Sequence, residues 1–371
     1  MDSSHNSTLD SKNYEKLIRS SLRKVLSFPV SVSQPIGAFI FSLDSNAELT
    51  FSWFSWPILF FFLKLAYGVF SFTLFFHNQT YYLAMFGDWG DVDRFTNFMT
   101  FAVSEFSCVF SVFMIIKGRN SIQSFHNGIV QFIVDVLVEN ENENVIKEHL
   151  NIFEKSRKQI ATPVYIIIAI SCVTYFTFLS SSMFSIIKLV KADLFIVATV
   201  PFLMLSMTFL SIMRFINYLI LDATIAFIWI GLRAWRSQCE NITTGCHETE
   251  KMLKILRNYK RIAELIKDFN SVYQWWLLSG MLTMLANVLC YFFQLGSWIG
   301  VAGFAVLFVL APGFVACGLS LYYFCLAASN VNEEGKLCGL MLRNIGSCTS
   351  YDKDLNEKVT SSYKIRNGIY E

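Results

Sequence analysis

The sequence predicts an all-α, polytopic membrane helical bundle whose long helices extend into a cytoplasmic anchor domain. Three observations carry that prediction. Six apolar stretches, residues 56–76, 95–116, 162–187, 194–213, 273–295 and 299–326, recur along the chain. Each supplies the roughly 20 residues that a hydrocarbon core of about 30 Å demands of a helix. Of the 30 Lys and Arg residues, 25 fall in segments on one side of these stretches and only Arg94, Lys188 and Lys191 on the other. Hydrophobic residues make up 54% of the 371, with 37 Phe, too many for a soluble globule with one buried helix. Lys and Arg are retained on the cytoplasmic side, so the N-terminus is expected inside, and an even number of spans returns residue 371 there.

The expected organisation is a cytoplasmic N-terminal segment (1–55), a six-span bundle (56–326) with cytoplasmic helical extensions (117–161 and 214–272), and a cytoplasmic tail (327–371). The first 50 residues lack the basic start, short apolar core and small-residue cleavage site of a signal peptide, so the first span is its own insertion signal. Within 117–161, Ile129, Phe132, Ile133, Val136 and Leu137 recur at helical spacing, and the polar run Glu139–Asn144 reads as a turn. From Leu194 to Arg236 the only strong breaker is Pro201, and 43 residues make a helix of about 64 Å. That is twice the hydrocarbon thickness. Asn217–Trp235 would then continue below the lipid, placing Asp222 outside it and removing the cost of a buried carboxylate. Lys251–Gln274 is amphipathic through Leu253, Leu256, Ile262, Leu265, Ile266 and Phe269, and runs into the next span. The last span is expected to continue past Ala328 towards Arg343, with Pro312 a candidate kink. Such extensions need apolar cover, from one another or from the same helices of other subunits; the alternative is that they lie on lipid headgroups.

None of the nine cysteines falls in an outer loop, so structural disulfides are not expected, and Cys239, Cys246 and His247 lack a fourth ligand at zinc-like spacing. No cofactor is indicated. Of the sequons, only Asn78 faces outward. No basic run suits a nucleic acid, and no enzyme motif occurs: no His-Glu-x-x-His, no Gly-x-Ser-x-Gly, no phosphate-binding glycine loop.

The candidate ligand site draws on the few polar residues inside the spans. Glu105 is mid-span, where an ionisable group is either functional or a partner for Lys64. Ser180, Ser181 and Ser182 bind local carbonyls or a ligand. Asn287, Tyr291 and Gln294 share one helix face at i, i+4 and i+7, and Trp298 follows. Amides and aromatic rings on one face suit a polyhydroxylated or amphipathic small molecule, with interhelical hydrogen bonding as the alternative.

These elements, in this order, resemble those of insect gustatory receptors. Pro29-Val30 followed by Leu49-Thr50-Phe51-Ser52-Trp53-Phe54-Ser55 resembles the Pro-Val element and aromatic approach to the first span, especially in the sugar-receptor branch. Tyr218-Leu219-Ile220-Leu221-Asp222 resembles the stretch after helix 4, Arg257, Tyr259 and Leu265 the lead-in to helix 5, and Asn287 to Gln294-Leu295 its ending. Ala327 to Lys336 is similar to the stretch below helix 6. The resemblance implies a ligand-gated, non-selective cation channel subunit in the plasma membrane, usually tetrameric, alone or with other gustatory receptors. It also implies an outward-facing pocket for small soluble tastants, with sugars the first expectation. An N-terminus inside argues against a G-protein-coupled receptor. The family's seventh, pore-lining span with its Thr-Tyr…Gln-Phe signature has no counterpart in the polar residues 346–371, so the chain is expected to be one helix short. The short link between helices 5 and 6 also departs from the sugar branch. The competing expectations are a polytopic transporter and a non-conducting partner subunit of full-length receptors.

Overall fold

The computed structural model describes residues 3–34, 39–77, 113–139, 144–156, 220–240, 249–302 and 305–348, with isolated positions between 103 and 111 and between 158 and 173. Glu105, Asn78, Ser180–Ser182, Cys246, His247 and most of the expected spans 95–116, 162–187 and 194–213 lie outside the described residues. The elements are α1 (Ser3–Ser33), β1 (Phe41–Leu43), β2 (Leu49–Phe51), α2 (Trp56–His77), α3 (Arg119–Glu139), α4 (144–156), α5 (220–240), α6 (Thr249–Ala302) and α7 (Ala305–Cys348).

The polar N-terminal segment is a helix. Ile18, Leu22, Val25, Leu26 and Val30 place one apolar residue per turn on a single face, all buried, and α1 packs on α3 through them. After it, β1 and β2 pair antiparallel with Phe41 opposite Phe51 and Leu43 opposite Leu49. The turn is held by Asp44, whose Oδ1 accepts the backbone N–H groups of Asn46 and Glu48, both at 2.8 Å. A two-stranded hairpin is marginal alone, and α3 supplies the missing partners. Asn127 Oδ1 accepts the Leu49 N–H at 2.9 Å, and His126 Nε2–H donates to the Ala47 carbonyl at 3.1 Å. Burial lowers the His126 pKa to about 4, only partly offset by that bond, so the ring is neutral. Replacing Asn127 with Leu would leave the Leu49 N–H unpaired, at a cost of about 1–3 kcal/mol. The expected readout is faster hydrogen exchange across residues 41–51.

Helices α3, α5 and α6 form the core. Ile129, Phe132, Ile133, Val136 and Leu137 are all buried, as the spacing requires, and α3 ends at Glu139. Gly231 lets α5 approach closely: a Cβ there would stand 3.1 Å from both Ile129 Cδ1 and Ile262 Cδ1. One turn on, Trp235 is enclosed, with its ring against Tyr259 and its Nε1–H donating to the Ile255 carbonyl at 3.0 Å. Two sets of charged groups between helices are shared rather than paired singly. Arg261 meets Asp135 at 2.7 Å, Asp135 accepts from Gln131, and Gln131 accepts from Arg19 of α1. Glu139 likewise receives Gln238, Asn258 and Lys254.

Helix α6 runs 54 residues, about 81 Å, from the charged segment 249–272 into the apolar one without interruption. Two expectations are corrected at its far end. The helix does not stop at Leu295 but continues to Ala302, and the next begins at Ala305, not 299. A lone Gly296 costs a helix only about 1 kcal/mol, too little to end an otherwise apolar run. The expected continuation of the last span past Ala328 towards Arg343 is present, since α7 runs unbroken from Ala305 to Cys348.

Candidate functional site

One stripe of α6 faces inward along both halves: Phe269, Tyr273, Trp276, Gly280, Thr283 and Asn287, spaced at one residue per turn and all buried. The opposite face exposes Leu278, Met281, Leu282, Leu285, Leu289, Phe292 and Phe293. Among the described residues, the stretch Glu250–Phe293 is the one helix long and apolar enough to cross a membrane, and little of its apolar window is buried. Polar groups inside and bulky apolar groups outside is the reverse of a water-soluble helix and the arrangement a hydrocarbon solvent imposes.

The inward stripe divides in two. Its lower part is a ladder of rings: Phe125 of α3 lies 5.5 Å from Phe269, Phe269 stacks on Tyr273 at 4.7 Å, and Tyr273 on Trp276 at 5.5 Å. Its upper part is polar. Thr283 donates to the Ser279 carbonyl and Asn287 Nδ2 to the Thr283 carbonyl, each at 2.8 Å. Of the expected ligand residues, Asn287 is fully buried on this face and Tyr291 half-buried one turn further. Positions 294 and 298 continue the same helix, Trp298 within it rather than beyond its end; the side chains of Gln294, Trp298 and Lys64 are not described, and Glu105 lies outside the described residues. Thr283 was legible as the residue four before Asn287, and extends the polar row by one turn. About 21 Å of continuous helix separates Asn287 from Tyr273.

Where the ladder reaches the charged bundle, Tyr273, Thr224, His126, Pro29 and Leu49 line a cavity of about 10 Å³, the scale of one water molecule. Five elements meet there: α1, the hairpin, α3, α5 and α6. Asp222 lies on α5 within one turn of Thr224. The expectation that Asp222 escapes desolvation is wrong: its Oδ1 is buried and accepts no hydrogen bond among the described residues, and burial raises its pKa to about 8. A position outside an apolar stretch is not thereby in water when its helix is packed into a bundle. Further along, Glu334 of α7 is buried against Arg236, Oε1 to Nε 3.1 Å, with Glu240 3.5 Å from the same nitrogen. Burial raises the Glu334 pKa, opposed by Arg236 and Arg233. Cys338, one turn on, approaches the Leu232 carbonyl at 3.6 Å. Among the described residues no group of three or more His, Cys, Asp or Glu could hold a metal ion.

No family model and no curated protein matches the sequence. Among solved structures the chain is similar to the insect olfactory receptor OR5 from Machilis hrabei, with a TM-score of 0.62 and 12% sequence identity over 93% of this chain and 89% of that one. At that identity the likeness shows the fold, an all-α bundle, with nearly the whole of both chains taking part.

Proposed function

We propose that the chain is a chemoreceptor subunit of the plasma membrane, a ligand-gated, non-selective cation channel of the gustatory type. The observation that supports it is the shared fold with an insect olfactory receptor across 93% of the chain. The gustatory branch rests on the sequence elements from Pro29-Val30 to Lys336. In this reading the N-terminus is cytoplasmic, the exposed face of α6 meets lipid, and subunits assemble as homo- or hetero-oligomers. A small soluble tastant, with sugars the first candidate, binds among Glu105, Asn287, Tyr291, Gln294 and Trp298. Because α6 is one continuous helix, a ligand that tilts its upper polar row also displaces the ring ladder and the charged bundle beneath. The coupling is mechanical and needs no further element.

The test is expression of this chain alone in cells screened with a tastant panel while current is recorded. Tastant-evoked cation current supports the proposal. Ligand uptake without current favours a transporter, and silence alone with altered responses on co-expression favours a partner subunit. With an active tastant in hand, Asn287→Leu should raise its half-maximal concentration by about 2–10-fold, the worth of one neutral hydrogen bond. Surface expression should be unchanged. An unaltered dose–response curve would remove Asn287 from the site.

A further inference from the structure

We propose that the loop leading into α2, together with the start of α3, is a docking site for anionic phospholipid headgroups of the inner leaflet. It rests on the membrane reading above. Phe54 is fully exposed at 103%, and Trp53 and Trp56 are exposed at 49% and 58%, an aromatic cluster at the mouth of an apolar helix. The exposed surface continues without a break along α2 through Leu59, Phe62 and Leu63. Water would make this an aggregation-prone patch. Rings of this kind settle at the depth where acyl chains meet headgroups.

Two elements fix that depth independently. Helix α2 begins its apolar run at Trp56, while α3 begins at Arg119, immediately after the apolar stretch that ends near residue 116. The structure brings the two starts together. The Arg119 guanidinium lies 5.0 Å from the Trp53 ring centre and 5.6 Å from that of Phe51, and Nη1 donates to the Ile116 carbonyl at 3.1 Å. A cation so held is oriented before any ligand arrives, and guanidinium matches a phosphodiester in shape and charge. Lys117 is exposed beside it. An apolar rim and a preset cation fit a lipid better than a soluble phosphate, which has nothing to cover the rings.

The full chain would be reconstituted in phosphatidylcholine vesicles with a minor fraction of phosphatidylserine, either lipid being brominated in the upper acyl chain. Emission from Trp53 and Trp56 is obtained by subtracting the Trp53→Phe/Trp56→Phe variant. It should be quenched about fivefold more strongly by brominated phosphatidylserine than by brominated phosphatidylcholine, the ratio for one basic residue near an anionic leaflet. Arg119→Gln should abolish most of that preference and keep the quenching. No quenching at Trp53 and Trp56, or equal quenching by both lipids, overturns the proposal. So does loss of the preference on adding inorganic phosphate, which would assign the site to a soluble anion. A tryptophan placed by Leu285→Trp on the outer face of α6 separates the two readings. Quenching there but not at Trp53 and Trp56 defeats the docking site alone, and quenching at neither defeats the membrane assignment beneath it.

Discussion

Asp222→Asn should stabilise the protein at neutral pH and flatten the dependence of its stability on pH. The Asp222 carboxyl is pushed up to about 8 by burial, from an ordinary 3.8, so the folded chain holds a proton that the unfolded chain has lost. A raised folded pKa contributes stability that is fully present below the unfolded value and lost as pH rises through the folded one. At pH 7 the loss is on the order of 4 kcal/mol, from 1.36 kcal/mol per unit. A buried Asn amide recovers less than all of this, because its own unpaired polar atoms cost about 1–3 kcal/mol. The expected net gain is therefore about 1–3 kcal/mol. The clean window lies between the ordinary His value and 8. Below it, His126 works in the opposite sense: its folded pKa of about 4 lies under the ordinary 6.5, so its contribution is lost as pH falls. Thermal unfolding of the detergent-solubilised chain across that window should show Tm falling with pH in the native sequence and level in Asp222→Asn. Equal slopes would mean that the carboxylate finds a partner in the folded state.

What the sequence revealed follows from the reach of each signal. Periodicity is local, so α3 and the charged half of α6 were legible from Ile129–Leu137 and from Leu256, Ile262 and Phe269, all since buried. The same rule would have shown α1, where Ile18, Leu22, Val25, Leu26 and Val30 are regular but outnumbered by polar neighbours. The hairpin was not legible, because three-residue strands are too short to display alternation and their hydrogen bonds end on Asn127 and His126, far along the chain. The distribution of positive charge separates polar helical segments from apolar ones but does not say what the polar segments pack against. The buried state of Asp222 therefore required the packed bundle itself. At the candidate site, the i, i+4 spacing identified the helix face carrying Asn287 and Tyr291, and that face is the inward one. The ring ladder beneath it depends on Phe125 arriving from α3, a contact that spacing within α6 cannot supply.

Arg236→Met should be among the most damaging single changes outside the apolar halves of the helices, and its cost should depend on pH. The Glu334 side chain is 6% exposed and Arg236 18%, so both charges have left water for one another across α5 and α7. Removing one member of such a pair strands the other, a loss of about 3–5 kcal/mol. The pair is asymmetric. Arg236 retains Glu240 at 3.5 Å when Glu334 is neutralised, whereas Glu334 loses its nearest cation when Arg236 goes. Glu334→Gln should therefore cost less than Arg236→Met. Burial already raises the Glu334 pKa, and losing the opposing Arg236 raises it further. The penalty in Arg236→Met is then full above that raised value and shrinks as pH falls through it and the carboxyl takes a proton. Combining Arg236→Met with Glu334→Gln should recover much of the loss, because the stranded charge is gone. A double-mutant cycle on thermal unfolding, run across a pH series, measures this directly. Additive effects of the two substitutions, or a penalty for Arg236→Met that does not change with pH, would mean that the two side chains contribute to the α5–α7 contact by packing and not by charge.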